Sequence, residues 1–167
     1  MKTKKALFIG GVKSGKSLNA QNYILNISKD KPIYLITSEF IDREMKLRID
    51  SHKELRGDKF ITIEEPLKIY ESISESMTPV LVECITMWIN NMLYHDFKLE
   101  DMISQIEKIL KSDKSVVFVL NDVGSGIVPD NELARKFVDI SGKISQIIAS
   151  GCDEVFHTIA GISTKIK

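Results

Sequence analysis

Ala6-Leu7-Phe8-Ile9-Gly10-Gly11-Val12-Lys13-Ser14-Gly15-Lys16-Ser17 is an apolar run that passes directly into a complete G-x-x-x-x-G-K-[ST] phosphate loop. The run reads as a buried strand, and the stretch from Ser17 to Ser28 reads as the helix that follows it. Glycine at both ends of the loop lets the backbone curl until successive N–H groups face one anion, where a Cβ would crowd the ligand. In this pattern Lys16 reaches the β- and γ-phosphates, Ser17 ligates Mg²⁺ through its hydroxyl, and the helix N-terminus adds a positive partial charge. Gly10, Gly11, Val12, Lys13, Ser14, Gly15, Lys16 and Ser17 are therefore candidate nucleotide-binding residues. The alternative is a chance Gly-rich turn. Eight positions at fixed spacing between strand and helix argue against it.

Outward from the loop, short β-rich runs recur at Ala6–Ile9, Ile33–Thr37, Phe60–Ile63, Val80–Cys84, Val116–Leu120 and Glu154–Ile159. Between them lie amphipathic stretches that read as helices near Ser17–Ser28, Asp42–Lys53, Pro66–Glu75, Thr86–Tyr94, Glu100–Ser112 and Asn131–Ser150. Pro66 suits a first-turn position and Asp130 an N-cap. This alternation predicts an α/β fold, a mainly parallel sheet with helices on both faces. In such sheets ligands sit at the carboxyl ends of the strands, so the loops after Ile9, Thr37, Cys84 and Leu120 should surround one cleft.

The chain has 167 residues, 43% of them hydrophobic, a size that suits one domain over residues 1–167. Lys plus Arg and Asp plus Glu both total 23, so no broad positive field invites nucleic acid as a partner. Cys84 and Cys152 stand far apart and outside any C-x-x-C pair, which favours reduced thiols over a disulfide or a zinc site. The basic start, Met1 to Lys5, precedes too short an apolar run for an export signal. No run approaches the roughly 20 apolar residues of a membrane span. The expected location is the cytoplasm.

Three clusters carry chemistry beyond the loop. The strand Val80-Leu81-Val82-Glu83 ends in a carboxylate, which is where phosphate-loop enzymes hold a metal-associated acid; Glu83 is the candidate beside Ser17. In a helix from Asp42, Glu44, Arg48 and His52 share one face, with Arg48 and Arg56 able to clamp phosphate. A cation one turn away favours the neutral, nucleophilic imidazole, although a His so placed is ordinarily a solvated surface residue. Asn121-Asp122-Val123-Gly124-Ser125-Gly126 closes a strand with polar groups and two glycines, either a ligand-approaching loop or a plain surface turn. Arg135 and Asp139, one turn apart, read as a surface pair; His95 and His157 read as structural.

Taken together, the phosphate loop, Thr37-Ser38, Asp42-x-Glu44-Met45-x-x-Arg48-Ile49-x-x-His52-Lys53-x-x-Arg56, Leu81-Val82-Glu83-Cys84-Ile85-Thr86, Asn121-Asp122-Val123-Gly124-x-Gly126-Ile127-Val128-Pro129 and Gly161-Ile162-x-x-Lys165-Ile166-Lys167 closely resemble the bifunctional adenosylcobinamide kinase/adenosylcobinamide-phosphate guanylyltransferase family. The resemblance spans essentially the whole chain. It implies a RecA-like phosphate-loop fold, a homotrimer, Mg²⁺ or Mn²⁺ as cofactor, and GTP and ATP as substrates. It also implies phosphorylation of adenosylcobinamide, then transfer of GMP from GTP to the adenosylcobinamide phosphate through a guanylylated histidine, which falls on His52. Lys16 would be the second catalytic residue, and Thr37, Ser38, Arg48, Lys53, Arg56 and Glu83 would join the loop in binding nucleotide. Lys13 stands where the family usually has Arg, Ser51 where a His often precedes the nucleophile, Asp122 where Glu is common and Ser145 where Asn is frequent. Two other readings compete: a different small-molecule kinase with His52 as bystander, and a catalytically silent GTP-binding module.

Overall fold

The computed structural model describes residues 3–39 and 57–167. Seven strands form one sheet in the order β3-β2-β4-β5-β1-β6-β7. They are β1 (Lys5–Gly10), β2 (Ile33–Ile36), β3 (Ile61–Glu64), β4 (Val80–Glu83), β5 (Val116–Asn121), β6 (Glu154–Ile159) and β7 (Ile162–Lys165). β1 to β6 run parallel, and β7 alone is antiparallel, folded back on β6. The described helices are α1 (Lys16–Ile27), α2 (Ile69–Ser74), α3 (Ile85–Tyr94), α4 (Leu99–Lys111) and α5 (Glu132–Gly151).

The central strands β1, β2, β4 and β5 are apolar along most of their length because both faces are covered, and the period of two distributes their side chains between two cores. Leu7 of β1, Val80 and Val82 of β4, and Val116, Phe118 and Leu120 of β5 pack in the core that also receives α2 to α5. Ala6, Phe8, Leu81, Val117 and Val119 point the other way, into the core formed with Ala20 and Ile24 of α1. The expected two-faced α/β architecture is therefore present, with the limits of all six expected strands within a residue of expectation and one additional strand, β7.

Four local readings are corrected. β7 is an addition to the expected strands, since Ile162–Lys165 is short, with three polar residues in succession after Ile162, and carries no strand signal of its own. Pro66 does not open a helix: Glu65 Oε1 accepts hydrogen bonds from the Leu67 and Lys68 N–H groups at 2.9 and 2.7 Å, so the chain turns there and α2 starts at Ile69. Asn131, not Asp130, caps α5, its side-chain oxygen accepting from Ala134 N at 3.2 Å. Arg135 turns away from a pairing with Asp139 and donates to the carbonyls of Pro129 and Asp130, at 2.9 and 2.6 Å. The expected helix Asp42–Lys53 lies outside the described residues.

α3 lies where three loops meet and is buried nearly all round: Ile85, Trp88, Ile89 and Met92 are fully enclosed. Two of its polar side chains hold the neighbouring backbone. Trp88 Nε1 donates to Leu67 O at 2.9 Å, and Asn91 Nδ2 donates to Thr37 O at 2.6 Å and to Pro66 O at 3.2 Å. Removing the Asn91 amide leaves both carbonyls unpaired inside the protein, so Asn91→Leu should lower the unfolding free energy by about 2–4 kcal/mol. Urea denaturation should show this as a lower midpoint with unchanged slope.

Candidate functional site

The site is built where β1, β4 and β5 end. Gly10 pairs with Asn121 on one side and Thr158 on the other, and Asp122 N donates to Gly10 O at 2.9 Å, so the loop leaves the sheet from a tightly flanked point. A Cβ at Gly10 would lie 2.4 Å from Thr158 O and 2.7 Å from Ser14 Oγ. Lys13 adopts φ +57° and Gly15 φ +95°, the left-handed turns that let the loop curl before α1 begins at Lys16.

Lys16 is buried at 7% exposure, with its Nζ donating to Gly11 O at 3.1 Å across the mouth of the loop. Burial pushes its ammonium below the ordinary lysine range, and the Glu83 carboxylate pulls in the opposite direction. Ser17 Oγ donates to Glu83 Oε1 at 2.7 Å. Oε2 of Glu83 is buried with no hydrogen-bond partner, as is Ser14 Oγ. A carboxylate oxygen left bare beside a hydroxyl, at the foot of a phosphate cradle, suits a hard cation whose remaining ligands come from phosphate and water. Among the described residues no group of three or more His, Cys, Asp or Glu side chains is placed to hold a metal. A cation here would depend on the nucleotide for part of its coordination.

The Glu83 carboxylate is set by a clamp behind it. Thr37, fully buried, directs its hydroxyl at the carbonyls of Glu83 and Cys84, each 2.8 Å away. Cys84 then turns left-handed, φ +70°, and serves as the N-cap residue of α3. Its Sγ lies 3.7 Å from both Thr86 Oγ1 and Asn121 Nδ2, while Thr86 Oγ1 accepts from Asn121 N at 3.0 Å. Desolvation, with help from the Glu83 charge, pushes the Cys84 thiol up, which opposes thiolate chemistry. Cys152 is likewise free and buried, its thiol pushed up to about 12.

Of the residues singled out from sequence, the loop from Gly10 to Ser17, Thr37, Ser38 and Glu83 lie at this end of the sheet. The Thr37 hydroxyl is engaged by the scaffold rather than turned to a ligand. Ser38 is half-buried. Arg48, His52, Lys53 and Arg56 lie outside the described residues. Asp122 orders its own loop, accepting from Gly124 N at 3.2 Å and from Ser125 Oγ at 2.5 Å. His95 faces the Glu39 carboxylate at 3.0 Å, and His157 sits in β6 opposite Ile9. Sequence reasoning missed the Cys84–Thr86–Asn121 cluster and the approach of Gly161 to the loop. Gly161 was visible only as part of the terminal motif.

A parallel sheet with this loop, an assembled Lys16–Ser17–Glu83 triad and helices on both faces defines a phosphate-loop nucleotide-binding protein. Solved structures with the same fold include the flagellar accessory protein FlaH from Methanocaldococcus jannaschii, at 14% identity and TM-score 0.50 over 97% of this chain and 75% of that one. A KaiC-like protein from Pyrococcus horikoshii aligns at 13% identity and TM-score 0.52, over 92% and 70%. Within that class the chain belongs to the cobinamide kinase / cobinamide phosphate guanyltransferase family, whose model matches residues 6–166. The bifunctional adenosylcobalamin biosynthesis proteins CobU of Escherichia coli and Salmonella typhimurium are 34% and 36% identical to it, each over 96% of this chain and 98% of the relative. CobP of Pseudomonas aeruginosa is 33% identical, over 96% of both chains.

Thr37→Val keeps the shape of the side chain and removes the hydroxyl that holds the Glu83 and Cys84 carbonyls. It should cost about 1–2 kcal/mol of stability, measured by chemical denaturation, because the hydroxyl's hydrogen bond to the strand end is lost while the Cys84 carbonyl keeps the Met87 and Trp88 N–H groups.

Proposed function

We propose that this chain assembles the nucleotide loop of cobalamin, phosphorylating adenosylcobinamide with a nucleoside triphosphate and then transferring GMP from GTP to the adenosylcobinamide phosphate. The observation that carries the reading is the Ser17–Glu83 contact with its bare, buried second oxygen, at the foot of the phosphate loop in a chain of this family. Family membership weighs against both the unrelated kinase and the silent binding module. The proposed setting is the cytoplasm, with residues 1–167 working as one phosphate-loop domain in a homotrimer. Among the described residues no helix is long and apolar enough to cross a membrane.

In the kinase step the loop N–H groups and Lys16 hold the β- and γ-phosphates while the acceptor hydroxyl attacks the γ-phosphorus and the nucleoside diphosphate departs. In the second step a ring nitrogen of His52 attacks the α-phosphorus of GTP. An N–P bond forms, the α–β bridging bond breaks and pyrophosphate leaves. A phosphate oxygen of adenosylcobinamide phosphate then attacks the same phosphorus, the N–P bond breaks, and adenosylcobinamide-GDP is released with free imidazole. Lys16 and the loop N–H groups neutralise charge on the departing pyrophosphate, and Arg48, Lys53 and Arg56 supply further cations to the nucleotide. Mg²⁺, held by Ser17 and Glu83, would add positive charge to the phosphates; Mn²⁺ suits the same oxygen ligands.

Protein incubated with GTP labelled at the α-phosphate should retain an acid-labile covalent label after denaturation. Label at the γ-phosphate should give none, and His52→Ala should abolish the α-label. Absence of label in a protein that binds GTP would remove the guanylyltransferase step. Glu83→Gln should weaken GTP binding at least tenfold with Mg²⁺ present and less than twofold in excess chelator, read by calorimetric titration, because only the metal-dependent part of the affinity uses the carboxylate.

A further inference from the structure

The terminal motif Gly161-Ile162-x-x-Lys165-Ile166-Lys167 has no part in the chemistry above, yet its first residue touches the phosphate loop. β6 and β7 are joined by the two-residue turn Ala160-Gly161, with Ile159 paired to Ile162. Both turn residues have positive φ, +50° and +83°, as a tight hairpin of this hand requires. The turn does not project into solvent alone. Gly161 N donates to Ser14 O at 2.7 Å, and Asn19 Nδ2, from the first turn of α1, donates to Gly161 O at 3.0 Å. Gly161 is thus gripped at both of its backbone polar groups, once by the loop and once by the helix the loop feeds. The contact is close enough that a Cβ on Gly15 would lie 2.8 Å from Gly161 Cα.

A planar trans peptide places its N–H opposite its C=O. Drawing the Ser14 carbonyl toward Gly161 therefore turns the Gly15 N–H the other way, to the side on which the loop curls around its anion. We propose that the Ala160-Gly161 turn is a strut that fixes the Ser14–Gly15 peptide plane, and that Asn19 is the positioning residue locking the strut to α1. The strut aims a phosphate-binding N–H without itself touching the ligand. Its purpose rests on the loop binding polyphosphate, as proposed above.

The inference is tested with Asn19→Ala, a substitution suited to a helix and half-exposed in place. Ser163→Ala is the control: it removes the Thr158–Ser163 hydroxyl contact of 2.7 Å and so loosens the same hairpin away from the loop. Affinities for inorganic tripolyphosphate and for GTP are measured by calorimetry, and melting temperatures beside them. Asn19→Ala should weaken both ligands by the same factor, about threefold to tenfold for one lost hydrogen bond, while Ser163→Ala leaves both affinities unchanged. Two results overturn the strut: unchanged affinity in Asn19→Ala, or an equal loss in Ser163→Ala that follows an equal fall in melting temperature. A parent protein that binds neither tripolyphosphate nor GTP would instead overturn the phosphate-loop reading, and the strut's purpose with it.

Discussion

The closeness of β1 to β6 at Gly10 is the constraint on which the rest of the site depends. A residue paired on both sides, with a carbonyl 2.4 Å from where its Cβ would sit, leaves the chain only one way out of the sheet. The loop that follows inherits its starting direction from that exit. It reaches α1 through left-handed turns at Lys13 and Gly15, of which only the second falls on a glycine. Lys13 adopts the left-handed region despite its Cβ, at a cost of roughly 1–2 kcal/mol that the surrounding loop geometry must offset.

Across β5 from that exit, a second feature prepares the carboxylate. Glu83 ends β4, and β4 gives way to α3 through Cys84 in a left-handed conformation. The buried Thr37 hydroxyl on the Glu83 and Cys84 carbonyls, and the Asn91 amide on Thr37 O, tie the ends of β2 and β4 to α3. Thr37 and Asn91 are buried at its centre, and that enclosure is what makes the network directional, since water has little room to substitute for a lost partner there. The carboxylate therefore meets Ser17 from a rigid support, and its bare oxygen is a property of the scaffold rather than of a side chain free to rotate into solvent.

The sheet was legible because its central strands β1, β2, β4 and β5 are buried on both faces and so stand out as runs rich in Val, Leu, Ile and Phe. The loop and Glu83 were legible for a related reason: each is a polar break at the end of such a run. Thr37 illustrates what sequence could not resolve. A threonine after an apolar strand looks ligand-facing, and only the pairing of β2 with β4 reveals that two carbonyls of another strand claim its hydroxyl. Gly161 is similar, since its partner Ser14 is distant along the chain. β7 escaped notice because it has no apolar run, and the side chains that hold it, Lys165 paired with Glu154 at 2.6 Å and Ser163 with Thr158, look like ordinary solvated surface.

The fold neighbours and the family separate two levels of specificity. Structures at 13% and 14% identity share the fold, whereas relatives at 33% to 36% identity align over 96% of the chain. A phosphate loop by itself constrains the β- and γ-phosphates and says nothing about which phosphorus is attacked. On the proposed reaction, that choice falls to the nucleophile: an acceptor hydroxyl meets the γ-phosphorus in the first step, and His52 meets the α-phosphorus in the second. One cradle would suit both proposed steps because it would stabilise charge on the leaving phosphates in either case, with the diphosphate and the pyrophosphate overlapping at the β-position. A cradle held at Gly10 and Glu83, and by the proposed strut at Gly161, would meet what such a dual site needs, since the two proposed steps differ in where the nucleophile stands and agree on where negative charge gathers.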